Sequence, residues 1–212
     1  MKTKILLVRH GETEWNIQGR FQGVKDTDLA EAGLVQASYV AEALKGTFDK
    51  IYTSPLKRAY ETAEIIGRSK ELKPIKVDKI TEIDFGQWEG LTVSEIKDNF
   101  PEAFKIWRQD GVVGPLCGGD LSLKNASSRA KEAILAIAGE NQGKTTVIVA
   151  HGGIIKAGLI GIFNWDMTMY HKMILGNTSI CEISFDDKFN PILLRLNDTN
   201  HLKGDYVPRS YV

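Results

Sequence analysis

Two histidines, two arginines and a glutamate stand where short apolar segments of this sequence end. Arg9 and His10 follow the apolar run Ile5–Val8, and Gly11 then lets the backbone turn. The run has the composition of a buried strand. In open α/β sheets, ligands bind beyond the carboxyl ends of the strands. A guanidinium and an imidazole placed there suit an oxyanion, because arginine binds it through paired hydrogen bonds and histidine can act as nucleophile or proton carrier.

The same pattern recurs in the second half of the chain. Residues 145–150 form another apolar, β-branched run, which ends at His151. Glycines follow, and then a helical pattern over Ile154–Ile162. This order of elements predicts a strand that delivers a second histidine to a loop before a helix.

Two further strands lead to charged residues. The strand Asp49–Tyr52 runs into Ser54-Pro55, which favours the start of a helix capped by Ser54, with Arg58 in the first turn. The strand Ile75–Ile80 leads to Glu82. Four strand ends therefore converge on one chemistry, the binding and turnover of a small anion.

Composition limits the choice of partners. The 212 residues allow one sizeable α/β core, and 42% of them are hydrophobic, as in ordinary globular proteins. Basic and acidic residues are equal at 27 each, so the net charge favours neither nucleic acid nor an anionic membrane. Any positive potential must be local, which fits a small phosphorylated metabolite.

Cysteine usage and the absence of a targeting pattern predict a cytoplasmic protein. Cys117 and Cys181 lie far apart in sequence and form no disulfide framework. The apolar run after Met1 is too short for a signal peptide, and no segment approaches the length of a membrane span.

The alternation of strands and helices predicts a three-layer α/β/α sandwich with a mostly parallel sheet. The stretch 91–123 interrupts that alternation, because it contains no clear strand. Two short helices are expected in it, over Thr92–Asn99 and Pro101–Asp110. A last strand is expected at Ile192–Leu196.

Taken together, these motifs resemble those of the histidine phosphatase superfamily, in its phosphoglycerate mutase-like branch. The similarity runs from residue 4 to about residue 180, in a single domain that we expect to span residues 1–212. It is carried by the segments Arg9-His10-Gly11-Glu12-Thr13 with Trp15-Asn16, Gly19-Arg20-Phe21-Gln22-Gly23, Ser54-Pro55-Leu56-Lys57-Arg58-Ala59, Glu82 with Gly86-Gln87-Trp88-Glu89-Gly90, and His151-Gly152-Gly153.

The resemblance implies a metal-independent phosphomonoester hydrolase without a cofactor. His10 would attack phosphorus and become a phosphohistidine. The groups expected to hold the phosphoryl oxygens are Arg9, Arg58 and a cationic His151, with neutral donors from Asn16, Gln22 and the Gly23 backbone.

Glu82 is the expected proton carrier in this scheme. It would protonate the leaving oxygen and then, as a carboxylate, activate the water that clears the phosphohistidine. Asp84 is the alternative carboxylate. Arg20 is either a further cation of the phosphate site or a solvated loop charge.

The stretch 91–123 would be an insertion over the active site that shapes the choice of substrate. Phe85 and Trp107 are candidate contacts for the organic part of the substrate. The other interpretation of Phe104 and Trp107, one turn apart, is a satellite hydrophobic cluster. The family's Gly-Gly-Glu-Ser segment reads Gly118-Gly119-Asp120-Leu121 here, which leaves the role of Asp120 open.

Three other function classes fit the sequence less well. A cofactor-dependent phosphoglycerate mutase would carry cations after its glutamate, whereas this chain has Ile83-Asp84-Phe85-Gly86. An inactive module that only binds phosphorylated ligands would be expected to lack the nucleophile or the glutamate, whereas His10 and Glu82 are both present here, as are Arg9, Arg58 and His151. A metal hydrolase is disfavoured because no metal-binding spacing is present and two arginines would repel a cation.

The motifs do not identify the natural substrate. Phosphoserine, α-ribazole phosphate and broad specificity are all compatible with the motifs. Metal-independent phosphoserine phosphatases have histidine where Phe85 stands, which is a departure. The protein is expected to be a monomer or a homodimer.

Overall fold

A computed structural model describes residues 2–203 of the chain. Its centre is a six-stranded sheet in the order β3-β2-β4-β1-β5-β6. The strands are β1 Thr3–Arg9, β2 Lys50–Thr53, β3 Ile75–Lys76, β4 Thr145–Ala150, β5 Ile180–Phe185 and β6 Pro191–Asp198.

The two central strands explain why the histidines meet. β1 and β4 pair in parallel, and Arg9 lies opposite Ala150 in the register. The next residue on each strand is a histidine, so His10 and His151 emerge side by side at one edge of the sheet. The sequence pattern predicted this convergence.

The sheet is mostly parallel, as predicted. β1, β4, β2 and β3 run in the same direction, while β5 pairs antiparallel with both β1 and β6. The last strand confirms the expectation at Ile192–Leu196, but β5 was not predicted. In its sequence, apolar Cys181, Ile183 and Phe185 alternate with polar Glu182 and Ser184, and this period-two pattern could have predicted the strand, although every residue of β5 is buried.

Helices cover both faces of this sheet. They are α1 Glu14–Ile17, α2 Glu31–Ala43, α3 Lys57–Arg68, α4 Val93–Asn99, α5 Pro101–Gln109, α6 Leu123–Glu140 and α7 Gly152–Phe163. Leu6 and Val8 of β1 belong to the core beneath α2 and α3, while Ile5 and Leu7 belong to the core that includes α6 and α7. Successive side chains of a strand point to opposite faces, so β1 is buried on both sides and the three-layer prediction is confirmed.

The stretch 91–123 contains the two expected short helices, α4 and α5. Thr92 caps α4, and Glu95 closes a reciprocal capping box with it. Pro101 occupies the first turn of α5. No helix among residues 2–203 is long and apolar enough to cross a membrane.

Two local predictions were wrong. The strand predicted over Ile75–Ile80 is β3, which stops after Lys76, and residues 78–80 form a 3-10 turn instead. α3 begins at Lys57 with Leu56 as its N-cap, so Ser54 does not cap it. The Ser54 hydroxyl instead contacts Nε2 of His151.

Candidate active site

His10 is held as a neutral imidazole in which Nε2 is the unprotonated ring nitrogen. Its Nδ1 lies 2.6 Å from the carbonyl oxygen of Gly11, so Nδ1 carries the proton and donates it. Nε2 then accepts from Nε of Arg58 at 3.3 Å. Burial and the charges of Arg58 and Arg9 hold the pKa of His10 well below its usual value. The arrangement leaves Nε2 as an unprotonated nucleophile at neutral pH.

Arg58 is anchored by backbone carbonyls beside that nitrogen. It donates to the carbonyl oxygens of Lys25 at 2.7 Å and Gly23 at 2.8 Å, and its side chain is fully buried. Burial lowers the pKa of Arg58 to about 10, so it remains a cation at neutral pH. On the other side, Nη1 of Arg9 donates to the carbonyl oxygen of Leu175 at 2.5 Å. Two guanidiniums held by backbone carbonyls thus line the same cavity as His10.

Asn16 presents an amide donor to the same cavity. Its Oδ1 accepts from the backbone and hydroxyl of Thr13 and from Nδ2 of Asn177, each at 3.1 Å. These three bonds fix which way the amide faces, and Nδ2 of Asn16 makes no hydrogen bond within residues 2–203. That nitrogen is therefore available to a ligand oxygen.

Gln22 and Gly23 complete the polar rim. The Gln22 side chain accepts from the Thr27 hydroxyl at 2.7 Å. Gly23 adopts a φ of +52°, and a Cβ there would lie 1.9 Å from a carboxylate oxygen of Glu89. Only glycine fits this turn, which brings the backbone close to Arg58.

His151 lies next to His10, with 5.1 Å between the ring centroids. Its Nε2 is 2.7 Å from the Ser54 hydroxyl. Burial and the charge of Arg58 hold the pKa of His151 well below its usual value. His151 is thus neutral when no ligand is bound, and the cation implied by the resemblance stays a prediction for the bound state. The other ring nitrogen, Nδ1, is buried and makes no hydrogen bond within the described residues.

Glu82 reaches the site from the end of the 3-10 turn. Its carboxylate accepts backbone N–H bonds from Ile83 at 2.9 Å, Gly153 at 3.0 Å and Ile154 at 2.7 Å. Two of these donors form the N-terminus of α7, which favours negative charge. A Cβ at Gly153 would lie 2.7 Å from the carboxylate, so glycine is needed for this approach.

These predicted residues surround one cavity. Its lining comprises Arg9, His10, Asn16, Arg20, Gln22, Gly23, Arg58, Glu82, Phe85 and Gly152. His151 lies against His10 and the start of α7. Asp84 does not line the cavity; its carboxylate accepts from the backbone N–H of Gly86 instead.

The structure does not bring Trp107 to the cavity. Its side chain is 1% exposed and packs among Phe21, Trp88, Phe104 and Tyr170. The hydrophobic-cluster interpretation of Phe104 and Trp107 fits this position, and the expected contact between Trp107 and substrate does not. Phe85 stands between the two regions, since it lines the cavity while packing edge-on against Phe21 at 5.1 Å.

Arg20 lies at the rim of the cavity and is partly neutralised. Its Nη1 donates to the carbonyl oxygen of Gly90 at 2.5 Å and to Glu95 at 3.2 Å. About a third of its side chain is exposed. It is therefore neither buried like Arg9 and Arg58 nor a freely solvated loop charge.

Sequence reasoning missed a buried pair behind Glu82. The ammonium of Lys156 lies 4.9 Å from the centre of the Tyr170 ring, and both side chains are almost fully buried. Burial lowers the pKa of Lys156 to about 7. Both would have been assigned to solvent or core by their spacing, since neither lies at a strand end. Asn177 was missed because it precedes β5, the unpredicted strand.

No three His, Cys, Asp or Glu side chains among residues 2–203 are arranged to hold a metal ion. The remaining histidines serve locally: His171 contacts the carbonyl oxygen of Trp107, and His201 contacts the hydroxyl of Thr178.

Comparison with known proteins agrees with the motifs and the fold. The family model of the histidine phosphatase superfamily (branch 1) matches residues 5–199. Phosphoserine phosphatase 1 of Hydrogenobacter thermophilus is 37% identical over 205 residues, 96% of each chain. A metal-independent phosphoserine phosphatase of Arabidopsis thaliana is 36% identical over 159 residues, which are 73% of this chain and 66% of that one.

A solved structure is similar over nearly the whole chain. A histidine-to-alanine mutant of phosphoserine phosphatase from Entamoeba histolytica, in complex with phosphoserine, superposes with a TM-score of 0.86 and 39% identity. The match covers 94% of this chain and 99% of that one. From its motifs, its site and these relatives, the chain belongs to the histidine phosphatase superfamily, branch 1, as a phosphatase-type member.

Proposed function

We propose that this protein hydrolyses small phosphomonoesters that carry a carboxylate, phosphoserine foremost, through a phosphohistidine on His10. The observation that carries the proposal is the hydrogen bond from Nδ1 of His10 to the Gly11 carbonyl. This bond fixes the proton on the nitrogen away from the cavity and leaves Nε2 as an unprotonated nucleophile beside Arg58.

In the first step, Nε2 of His10 attacks phosphorus and the bond between phosphorus and the leaving oxygen breaks. Glu82 takes up a proton as the charged phosphoryl group enters the cavity and then donates it to that oxygen, so the alcohol leaves neutral. Arg9 and Arg58 hold the phosphoryl oxygens, and the free amide N–H of Asn16 adds a neutral donor. His151 becomes a cation as the phosphoryl charge enters, because that charge offsets the two arginines that keep it neutral.

In the second step, the Glu82 carboxylate takes a proton from water, which attacks the phosphohistidine. The phosphorus–nitrogen bond breaks, inorganic phosphate leaves, and His10 returns to its neutral form. One residue serves as acid and then as base, as microscopic reversibility requires.

The relatives support a substrate that carries a carboxylate. Two are named phosphoserine phosphatases, and the Entamoeba histolytica enzyme is also described in complex with 3-phosphoglyceric acid. Both ligands combine a phosphomonoester with a carboxylate. Phe85 stands where metal-independent phosphoserine phosphatases have histidine, so the substrate assay must test directly whether this chain hydrolyses phosphoserine.

Mutase activity has less support. A mutase must hold a doubly charged intermediate while it reorients and must exclude water. Beyond Arg9 and Arg58, Arg20 is the further cation on the described cavity lining, and Glu95 partly neutralises it. A module that binds without turnover has less support still, since the nucleophile and Glu82 are both in place.

Domain organisation, compartment and oligomeric state complete the proposal. We propose one domain over residues 1–212, with the stretch 91–123 shaping the choice of substrate. Because Cys117 and Cys181 are both free, a reducing cytoplasm suits the protein. A monomer and a homodimer are both compatible with this function.

The test is phosphate release from matched substrates in the presence of EDTA. Phosphoserine and phosphoethanolamine differ only by the carboxylate, so we expect kcat/KM to be at least about 10-fold higher for phosphoserine. A parallel assay follows 3-phosphoglycerate with 2,3-bisphosphoglycerate, which should give phosphate and little 2-phosphoglycerate. Equal rates on the matched pair would contradict the substrate class, and efficient interconversion of phosphoglycerates would promote the mutase.

A further inference from the structure

The backbone that carries Glu82 leaves the sheet before it reaches the active site. The last hydrogen bond to the sheet runs from the N–H of Val77 to the carbonyl oxygen of Thr53, at 2.9 Å. The 3-10 turn of residues 78–80 follows, and β3 itself is only two exposed residues long. Another group must therefore satisfy and fix the backbone between Thr81 and Asp84.

Arg129 of α6 is that group. Its Nη1 donates to the carbonyl oxygens of Lys79 at 2.9 Å and Thr81 at 2.8 Å. Its Nη2 lies 3.5 Å from the carbonyl oxygen of Glu82. A single guanidinium thus contacts three carbonyl oxygens of the segment 79–82, and the last of them belongs to Glu82, the proposed proton carrier.

Asp120 fixes the other side of the guanidinium. Its carboxylate forms a two-pronged pair with Arg129, at 3.0 Å from Nε and 2.8 Å from Nη2. The same carboxylate accepts the backbone N–H of Asp84 at 3.0 Å. The pair is largely shielded from water, with side-chain exposures of 23% for Arg129 and 12% for Asp120.

The glycines beside Asp120 allow this close approach. A Cβ at Gly118 would lie 1.9 Å from the carbonyl oxygen of Asp84, and one at Gly119 would lie 2.5 Å from its carboxylate. The segment that departs from the family's pattern is therefore pressed against the backbone just after Glu82.

We infer that Arg129 and Asp120 form a clamp that positions Glu82 for proton transfer, and that the pair is a positioning device rather than a general support of the fold. Neither side chain lines the cavity, so the clamp acts through the backbone of Glu82. The charge of Arg129 also lowers the pKa of His151, and Arg129→Lys keeps that charge. The inference rests on the proposed role of Glu82 and adds two residues to it.

Arg129→Lys tests the clamp, because lysine keeps the charge but cannot reach three carbonyls and a carboxylate together. When the general acid is displaced, phosphoryl transfer from a substrate with a poor leaving group becomes slower, whereas transfer from one with a good leaving group changes little. We expect kcat/KM of R129K for phosphoserine to fall at least about 30-fold, while that for 2,4-dinitrophenyl phosphate falls less than about 3-fold. D120N, which removes one side of the clamp, should show a smaller loss with the same selectivity.

The matched control is Glu132→Gln. Glu132 pairs with the side chain of Lys79 at 2.6 Å, so this exposed ion pair links α6 to the same turn without touching the carbonyls. We expect E132Q to leave both substrates unaffected. Thermal melts of all variants show whether each is folded.

A double-mutant cycle separates the clamp from the proposed function. In the E82Q background, R129K should cost less than about 3-fold on either substrate, since the group that it positions is gone. Equal losses on both phosphates, or an unchanged effect of R129K in the E82Q background, would overturn the inference. If E82Q itself leaves the turnover of phosphoserine intact, the role of Glu82 in the proposed function fails instead.

Discussion

Acidification below pH 6.5 should destabilise this protein, because His10 and His151 are neutral in the folded state. An unfolded histidine takes up a proton with a pKa of about 6.5. Burial and the neighbouring arginines hold both folded pKa values well below that. Below pH 6.5 the unfolded state therefore binds more protons, so stability is complete above this pH and decreases as the pH falls toward the folded pKa values.

The size of the effect follows from proton linkage. Each such histidine contributes up to about 1.4 kcal/mol per pH unit below 6.5. Between pH 7.5 and pH 5.5, the loss is about 1.4 kcal/mol for each histidine and about 2.7 kcal/mol for the two together. His171 and His201 also have lowered pKa values and add to the total for the wild type.

The assay is chemical denaturation at the two pH values, in a buffer without phosphate. The contribution of His10 and His151 to the loss of unfolding free energy is the difference between the loss in the wild type and the loss in the double variant H10N/H151Q. Asparagine can keep the donor toward the Gly11 carbonyl, and glutamine can keep the contact with Ser54. The variant should lose about 2.7 kcal/mol less than the wild type on acidification. A double variant that folds at pH 7.5 and is as sensitive to acid as the wild type would refute the reasoning.

Three other outcomes are expected. Gly153→Ala should force the Glu82 carboxylate away from α7 and lower kcat/KM for phosphoserine about 100-fold. Gly139→Ala is the control, because no atom lies near its added carbon, and it should leave kcat/KM unchanged. Equal activity of the two variants would contradict the close contact between Gly153 and Glu82. Trp107→Ala should cost about 3–5 kcal/mol of unfolding free energy, while Trp107→Phe should leave KM unchanged; a large change in KM for Trp107→Phe would return Trp107 to the substrate site. Activity should persist in EDTA and be inhibited by vanadate, which adopts the five-coordinate geometry of the reacting phosphoryl group; loss of activity in EDTA and its return with a divalent metal would point to a metal enzyme.

The sequence was sufficient to predict the parallel centre of the fold and the residues at its edge. β1 and β4 each read as an apolar run ending in histidine, and parallel pairing brings such ends together. Arg9 follows the same logic, because it ends β1. Arg58 lies in the first turn of α3, as predicted, whereas Glu82 follows a predicted strand that stops at Lys76. These predictions depend on local pattern, which a single sequence records well.

What the sequence could not predict depends on contacts between distant segments. Ser54 looked like a helix cap, but its hydroxyl contacts His151, 97 positions away. Trp107 looked like a substrate contact, but its surroundings come from four separate segments of the chain. The charge state of His151 likewise depends on burial and on Arg58, and neither can be inferred from its own motif.

The central claim is that His10 forms a covalent phosphohistidine. The most direct measurement is rapid acid-free quenching of the enzyme during turnover of radiolabelled phosphoserine, followed by mapping of the labelled peptide. We predict acid-labile, base-stable phosphate on His10 and no label in H10N. In E82Q the labelled fraction should increase with radiolabelled 2,4-dinitrophenyl phosphate, whose good leaving group needs no acid while hydrolysis of the intermediate is slowed. Label that persists in H10N, or turnover by the wild type with no labelled histidine at any time, would contradict the account.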